Sequence, residues 1–199
     1  MSEKYTFRDF MVYFLSGLYL LLTLLYEFDI SLLNFFKIEK EDITKNPSLT
    51  IFLLVPGLYL LGQVVHGIDL LIFKIGRCIE DYALKNNYWL IDKFNCFFNG
   101  NRIAGIIAKN SNPPREQFWK LATKYNSPKS EYWLVINDLL KGLYIISMFW
   151  LFYNLLKSNF GVSLIFLFLT FIFWYRGRHT ATNYVSSVSY LASKDLDSK

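Results

Sequence analysis

The chain has 199 residues, 53% of them hydrophobic and 19% aromatic, with a formal charge of +5. The apolar residues are gathered in long blocks, which is the pattern of a membrane protein rather than of one large soluble core. Phe and Tyr dominate over Ala, which argues against a transmembrane sequence that dimerises tightly through small residues.

The opening MSEKYTFRDF mixes acids with bases, and no small-residue cleavage site follows the apolar block behind it. That block is therefore expected to be retained as a helix. It reads FMVYFLSGLYLLLTLLY, 17 uncharged residues between Asp9 and Glu27, and with its flanking aromatics it reaches the roughly 20 residues a bilayer requires. Residues 29–45 read as a modest outer loop, with room for a short interfacial helix. A second apolar block fills residues 46–73, where Pro56 and Gly57 predict a kink or tilt. Gly57, Gly62 and Gly67 recur every five residues and read as local close-packing sites, not as a GxxxG seam.

Residues 74–131 are too long for a plain connector. They read as a helical insert: a helix continuing out of the membrane, a surface segment, a loop at NGNRIAGIIAKNSNPP, and a short helix in NPPREQFWKLATKYNSP. Asn112 is that helix's candidate cap, Pro113 its first residue, and Pro128 its terminator. The third and fourth blocks, residues 132–156 and 158–175, are separated only by about KSNFG and predict an antiparallel pair. The tail, residues 180–199, places Tyr184, Val188 and Leu191 on one face of a short amphipathic helix.

The chain is thus read as all-α and polytopic. A first hairpin lies within residues 1–73 (spans 10–28 and 47–73), the insert covers 74–131, a second hairpin lies within 132–179, and the tail covers 180–199. If both ends lie inside, sixteen of the 21 basic residues face the cytosol. Lys37, Lys40, Lys45 and Lys157 then face outward, and Lys141 lies in a helix. That bias predicts an N-in/C-in orientation. It also accounts for the net charge through anionic headgroups, so charge alone does not require nucleic acid.

Tyr59, Gln63, His66 and Asp69 follow one another at helical spacing and form one slowly drifting polar stripe near the cytosolic end of the second block. Asn137, Asp138 and Lys141 open the third block at a similar depth. Ionisable groups there need partners, and the expected ones are Asp69 or Asp138 for Lys141, and a carboxylate or Tyr144 for His66. Such a network is either glue between helices or the polar lining of an oligomeric pore or switch. Lys74, Arg77, Arg176, Arg178 and His179 form a basic collar, read as phosphate anchors or, more sharply, as a contact for a protein or RNA partner. The five tryptophans fit interfacial anchors and packing.

No HExxH, nucleophile elbow, phosphate-binding glycine loop or metal-ligating cysteine set is present. Cys78 and Cys96 read as reduced structural residues. No catalytic residue, metal, cofactor or small-molecule substrate is expected, although His66 with Asp69 leaves a membrane enzyme acting on lipid as an alternative.

The segments YLLGQVVHGIDLLIF and FWYRGRHTATNYVSSV, with the aromatic insert between them, resemble small four-helix membrane proteins associated with prokaryotic immunity, including CRISPR accessory membrane proteins. The resemblance implies a multi-pass protein of the prokaryotic inner membrane. It would act there as an oligomeric effector or channel-like accessory that perturbs membrane integrity on a cytosolic signal from a protein or ribonucleoprotein. An adaptor that docks a cytosolic partner through residues 74–131 is the alternative.

Overall fold

A computed structural model describes residues 2–29, 47–86, 103, 115–125 and 127–197. Among these residues five helices are ten residues or longer: α1 (Ser2–Phe28), α2 (Pro47–Asn86), α3 (Arg115–Lys124), α4 (Pro128–Leu156) and α5 (Phe160–Asp197). No strand occurs among them. Four of the helices, over Phe10–Phe28, Leu54–Gly76, Pro128–Leu156 and Phe160–Ser193, are long and apolar enough to cross a membrane. Apart from Asp29 and Ile103, the predicted outer loop and the insert's surface segment and loop, with Asn112 and Pro113, lie outside the described residues. The chain divides into two compact units, Met1–Ile68 and Asp69–Lys199.

In the first unit α1 meets α2 at backbone distance. A Cβ on Gly17 would overlap the carbonyl of Leu58, and a Cβ on Gly62 would overlap the carbonyl of Tyr13. Tyr13 and Gly17 are one turn apart, as are Leu58 and Gly62, so each helix offers a glycine to the carbonyl of the other. Of the glycines five residues apart, Gly62 makes this contact while Gly67 faces open space. The small-residue approach that the composition argued against between chains therefore occurs within this one. Its partner on α1, Gly17, is isolated in sequence and carries no spacing signal. Aromatic rings line the same crossing: Tyr13 stands edge-on to Tyr59, and Phe10 stacks on Tyr59. α2 runs unbroken through the predicted kink at Pro56 and on to Asn86, well past the last apolar residue of its block.

The second unit is built on the α4/α5 hairpin, antiparallel as predicted. Its start differs from the sequence reading. Pro128 does not terminate α3, which ends at Lys124. It occupies the first turn of α4 behind the cap residue Ser127, where a missing N–H costs nothing. Ser127 Oγ accepts from the Ser130 backbone N–H at 3.1 Å, and Ser130 Oγ accepts from the Ser127 N–H at 2.8 Å, a reciprocal capping box. The hairpin turn is closed by Ser158, whose φ of 57° is left-handed, and by the Asn159 N–H donating to the Asn154 carbonyl at 2.9 Å.

Burial along α5 reverses partway. Up to Tyr175 the exposed residues are large and apolar, among them Leu164, Ile165, Leu167, Phe168 and Phe171, whereas Ser163 and Thr170 are buried. Past Arg176 the pattern is that of a soluble helix. Ala181, Tyr184, Val188 and Ala192 are buried, while Arg178, His179, Thr182 and Ser186 are exposed. Ile103 and α3, through Phe118 and Ala122, pack on this buried stripe. The tail is therefore the continuation of α5 and not a separate helix. No proline or unsatisfied cap interrupts the chain at residue 179, and Tyr184 and Val188 have a partner that holds the helix straight on.

Gly17→Leu should destabilise the first unit by about 1–3 kcal/mol through overpacking against a backbone that cannot yield. Gly161→Ala, in open space, should be near neutral. Unfolding of the two variants in mixed micelles measures the difference.

Candidate functional site

The polar residues fall into two groups, one in each unit. In the first unit, His66 lies beside α1. Its Nε2 is 3.4 Å from Ser16 Oγ, and the Tyr13 ring meets it edge-on at 5.1 Å. Ser16 is fully buried, so this hydroxyl–imidazole pair offers no access to a substrate carbonyl and reads as a packed contact. Tyr59 lies in the aromatic row described above. Gln63, assigned to the same stripe, is exposed on the outer side of α2. Asp69 is buried and begins the second unit.

In the second unit, Asn137 is fully buried where α4 crosses α5. Its Nδ2 donates to the Gly177 carbonyl at 2.7 Å and to Thr180 Oγ1 at 3.3 Å. Thr180 Oγ1 donates to the same carbonyl at 2.9 Å. Gly177 has no side chain to stand between the amide and its own backbone. The pin joins the two helices where the burial of α5 reverses. Asp138 and Lys141, a turn apart on α4, form an ion pair of 2.6 Å at the partly exposed edge of the same level. Tyr144, two turns beyond Asn137, is buried.

Sequence reasoning named Asn137 but missed its partners. The signal was available: Ser163, Thr170, Gly177 and Tyr184 are seven residues apart and all buried, a heptad seam that keeps one face of α5 inward over almost six turns. On α4, Ser130, Asn137 and Tyr144 repeat at the same interval and are likewise buried.

The collar residues of α5 adjoin Gly177 in sequence. Arg176 is exposed, the Arg178 guanidinium sits 5.7 Å from the Trp174 ring centroid, and His179 lies edge-on to Trp133 with its Nε2 3.1 Å from Asn183 Nδ2. Lys74 is exposed on α2, and the Arg77 side chain lies outside the described ones. Beyond the collar, an open cleft of about 450 Å³ is lined by Ser127, Lys129, Trp133, Asn183, Ser187 and Tyr190. Among the described residues, no group of three His, Cys, Asp or Glu side chains is placed to hold a metal ion.

Asn137→Ala should cost about 1–2 kcal/mol, because the bond it loses is made in apolar surroundings. In a double-mutant cycle it should couple to Thr180→Val, since both act on one carbonyl. Asp138→Asn, at a partly exposed helical pair, should cost under about 1 kcal/mol. Thermal unfolding of the purified variants gives all three values. No protein-family model, curated protein or solved structure matches this chain, so its function is read from its own residues.

Proposed function

We propose that the protein is a multi-pass membrane effector without enzymatic activity, which acts as an oligomer to perturb the bilayer under control of its cytosolic face. The observation that carries this reading is the continuity of α5. One helix of 38 residues, about 57 Å long at 1.5 Å per residue, exceeds the roughly 30 Å hydrocarbon core. Its apolar half faces outward as a lipid-embedded helix does, and its polar half carries the packed α3. A ligand or partner that moves α3 therefore acts on the membrane half through an unbroken rod, with the Asn137 pin at the junction.

Both termini and residues 74–131 are assigned to the cytosol. The bias of basic residues supports this. So does the packing of α3, which belongs to the insert, against the C-terminal half of α5, since packed segments share one side of a bilayer. Arg176 and Arg178 then meet anionic headgroups, and Trp174 with Tyr175 sits in the interfacial belt. The resemblance to accessories of prokaryotic immunity supplies the setting: an inner membrane and a protein or ribonucleoprotein signal.

The cleft beside Trp133 favours a second reading, in which the chain is an adaptor that seats a segment of a cytosolic partner. The two readings separate on one measurement. An effector reconstituted in vesicles with anionic lipid gives conductance or dye release, and Phe118→Asp, which detaches α3 from α5, changes that release while the protein stays in the membrane. Vesicles that stay tight at every protein density, alone and with cell lysate added, overturn the effector reading. Labelling of Cys78 from the inner side only, and of a cysteine placed at Lys37 from the outer side only, is the expected result for the orientation.

A further inference from the structure

The outward face of α2 carries a group that lipid cannot satisfy. Gln63 lies near the middle of the span Leu54–Gly76 and is exposed. Among the described residues, none hydrogen-bonds its amide. At helical spacing, Pro56, Leu60, Gly67 and Leu71 share its face, and all are exposed. Acyl chains neither donate nor accept hydrogen bonds, so an amide at this depth drives association with another polar group. One turn away, Gly67 has nothing near the place a Cβ would occupy, so a second helix can approach its backbone closely. The flanking Leu60 and Leu71, each 60% exposed, provide apolar contact on either side.

We infer that this face of α2 is a symmetric interface with a second copy of the chain, paired through Gln63. The choice of occupant follows from the chemistry of the amide and the geometry of a bilayer. All copies insert in one orientation, so a two-fold axis along the membrane normal brings identical residues together at equal depth. A carboxamide both donates and accepts. The Nε2 of one Gln63 then donates to the Oε1 of the Gln63 in the second copy, and the reverse bond forms by symmetry. Both amides are satisfied with no other residue required. The inference rests on the membrane reading above and gives its oligomer a defined surface.

The test uses the full chain with Cys78→Ser and Cys96→Ser, reconstituted in phosphatidylcholine/phosphatidylglycerol vesicles. Single cysteines at Leu60 and Leu71, which flank Gln63 on the same exposed face and leave the amide in place, should give oxidised dimers. Cysteines at Val65 and Ile72, on the other side of α2, should not. Gln63→Leu removes a polar group from hydrocarbon and so leaves the monomer intact. It should weaken the dimer about tenfold in a lipid-dilution series read by subunit counting, and Gly67→Leu should weaken it similarly. Equal cross-linking at all four positions, or a Gln63→Leu chain that associates like the parent, overturns the interface. A Gln63→Leu chain that stays oligomeric and still permeabilises vesicles sinks this interface and leaves the effector reading standing. A dimer cross-linked at Leu60, with Gln63 intact, in vesicles that never leak does the opposite.

Discussion

A polar group in apolar surroundings must find its partner in the protein, and this requirement organises the second hairpin. Thr170 donates to the Phe166 carbonyl at 2.6 Å, Ser163 to the Asn159 carbonyl at 2.8 Å, and the Asn154 amide to the Trp150 carbonyl at 3.0 Å, each one turn back on its own chain. These local bonds hold the three side chains to the chain's own backbone along the seam, where Trp150 and Phe166 meet with ring centroids 6.4 Å apart. Asn137 is different, because its amide reaches across to α5. It fixes the axial position of one helix against the other, which apolar packing alone defines only loosely. The first unit reaches the same closeness by another route, with two glycines admitting two carbonyls and no interhelical backbone bond required.

Gly177 is where two environments meet on one helix. On one side of it α5 hides Ser163, Phe166 and Thr170 and shows mostly Phe, Leu and Ile; on the other it hides Thr180, Ala181, Tyr184 and Val188 and shows Arg, His and Ser. A straight helix can satisfy both patterns because the buried positions keep one seven-residue register through the change, with Ser163 and Thr170 continued by Tyr184. The neighbour changes while the face does not: α4 covers the apolar half, and the polar half also receives α3. The backbone through this change is one unbroken helix, Phe160–Asp197.

Four helices long and apolar enough to cross a membrane, the α4/α5 hairpin and the short helix α3 were legible because hydropathy, length and cap residues report them directly. Helix ends were less so. Pro128 stops one helix and starts another equally well on local grounds, and only the Ser127–Ser130 box decides it. The tail looked separate because Arg176, Arg178 and His179 end an apolar run, yet a change of solvent does not end a helix. Among candidate site residues, Asn137, Asp138 and Lys141 were named from spacing, but spacing left Asp69 and Asp138 as equal candidates for the partner of Lys141. The contact of His66 with Ser16 and Tyr13 was not, since a crossing set by Gly17 and Gly62 determines which residues of α1 face α2, and a lone glycine in a leucine-rich helix carries no register.

The turn between α4 and α5 leaves only Lys157, Ser158 and Asn159 outside helix. For a chain entering a bilayer, those residues and their neighbours are all that must be carried to the far side with the hairpin. Lys157 is the single charge among them, and its ammonium lies 4.4 Å from the centre of the Tyr153 ring. With so little to translocate, and with Asn154, Ser163 and Thr170 already bonded to their own helices, α4 and α5 can enter as a preformed pair.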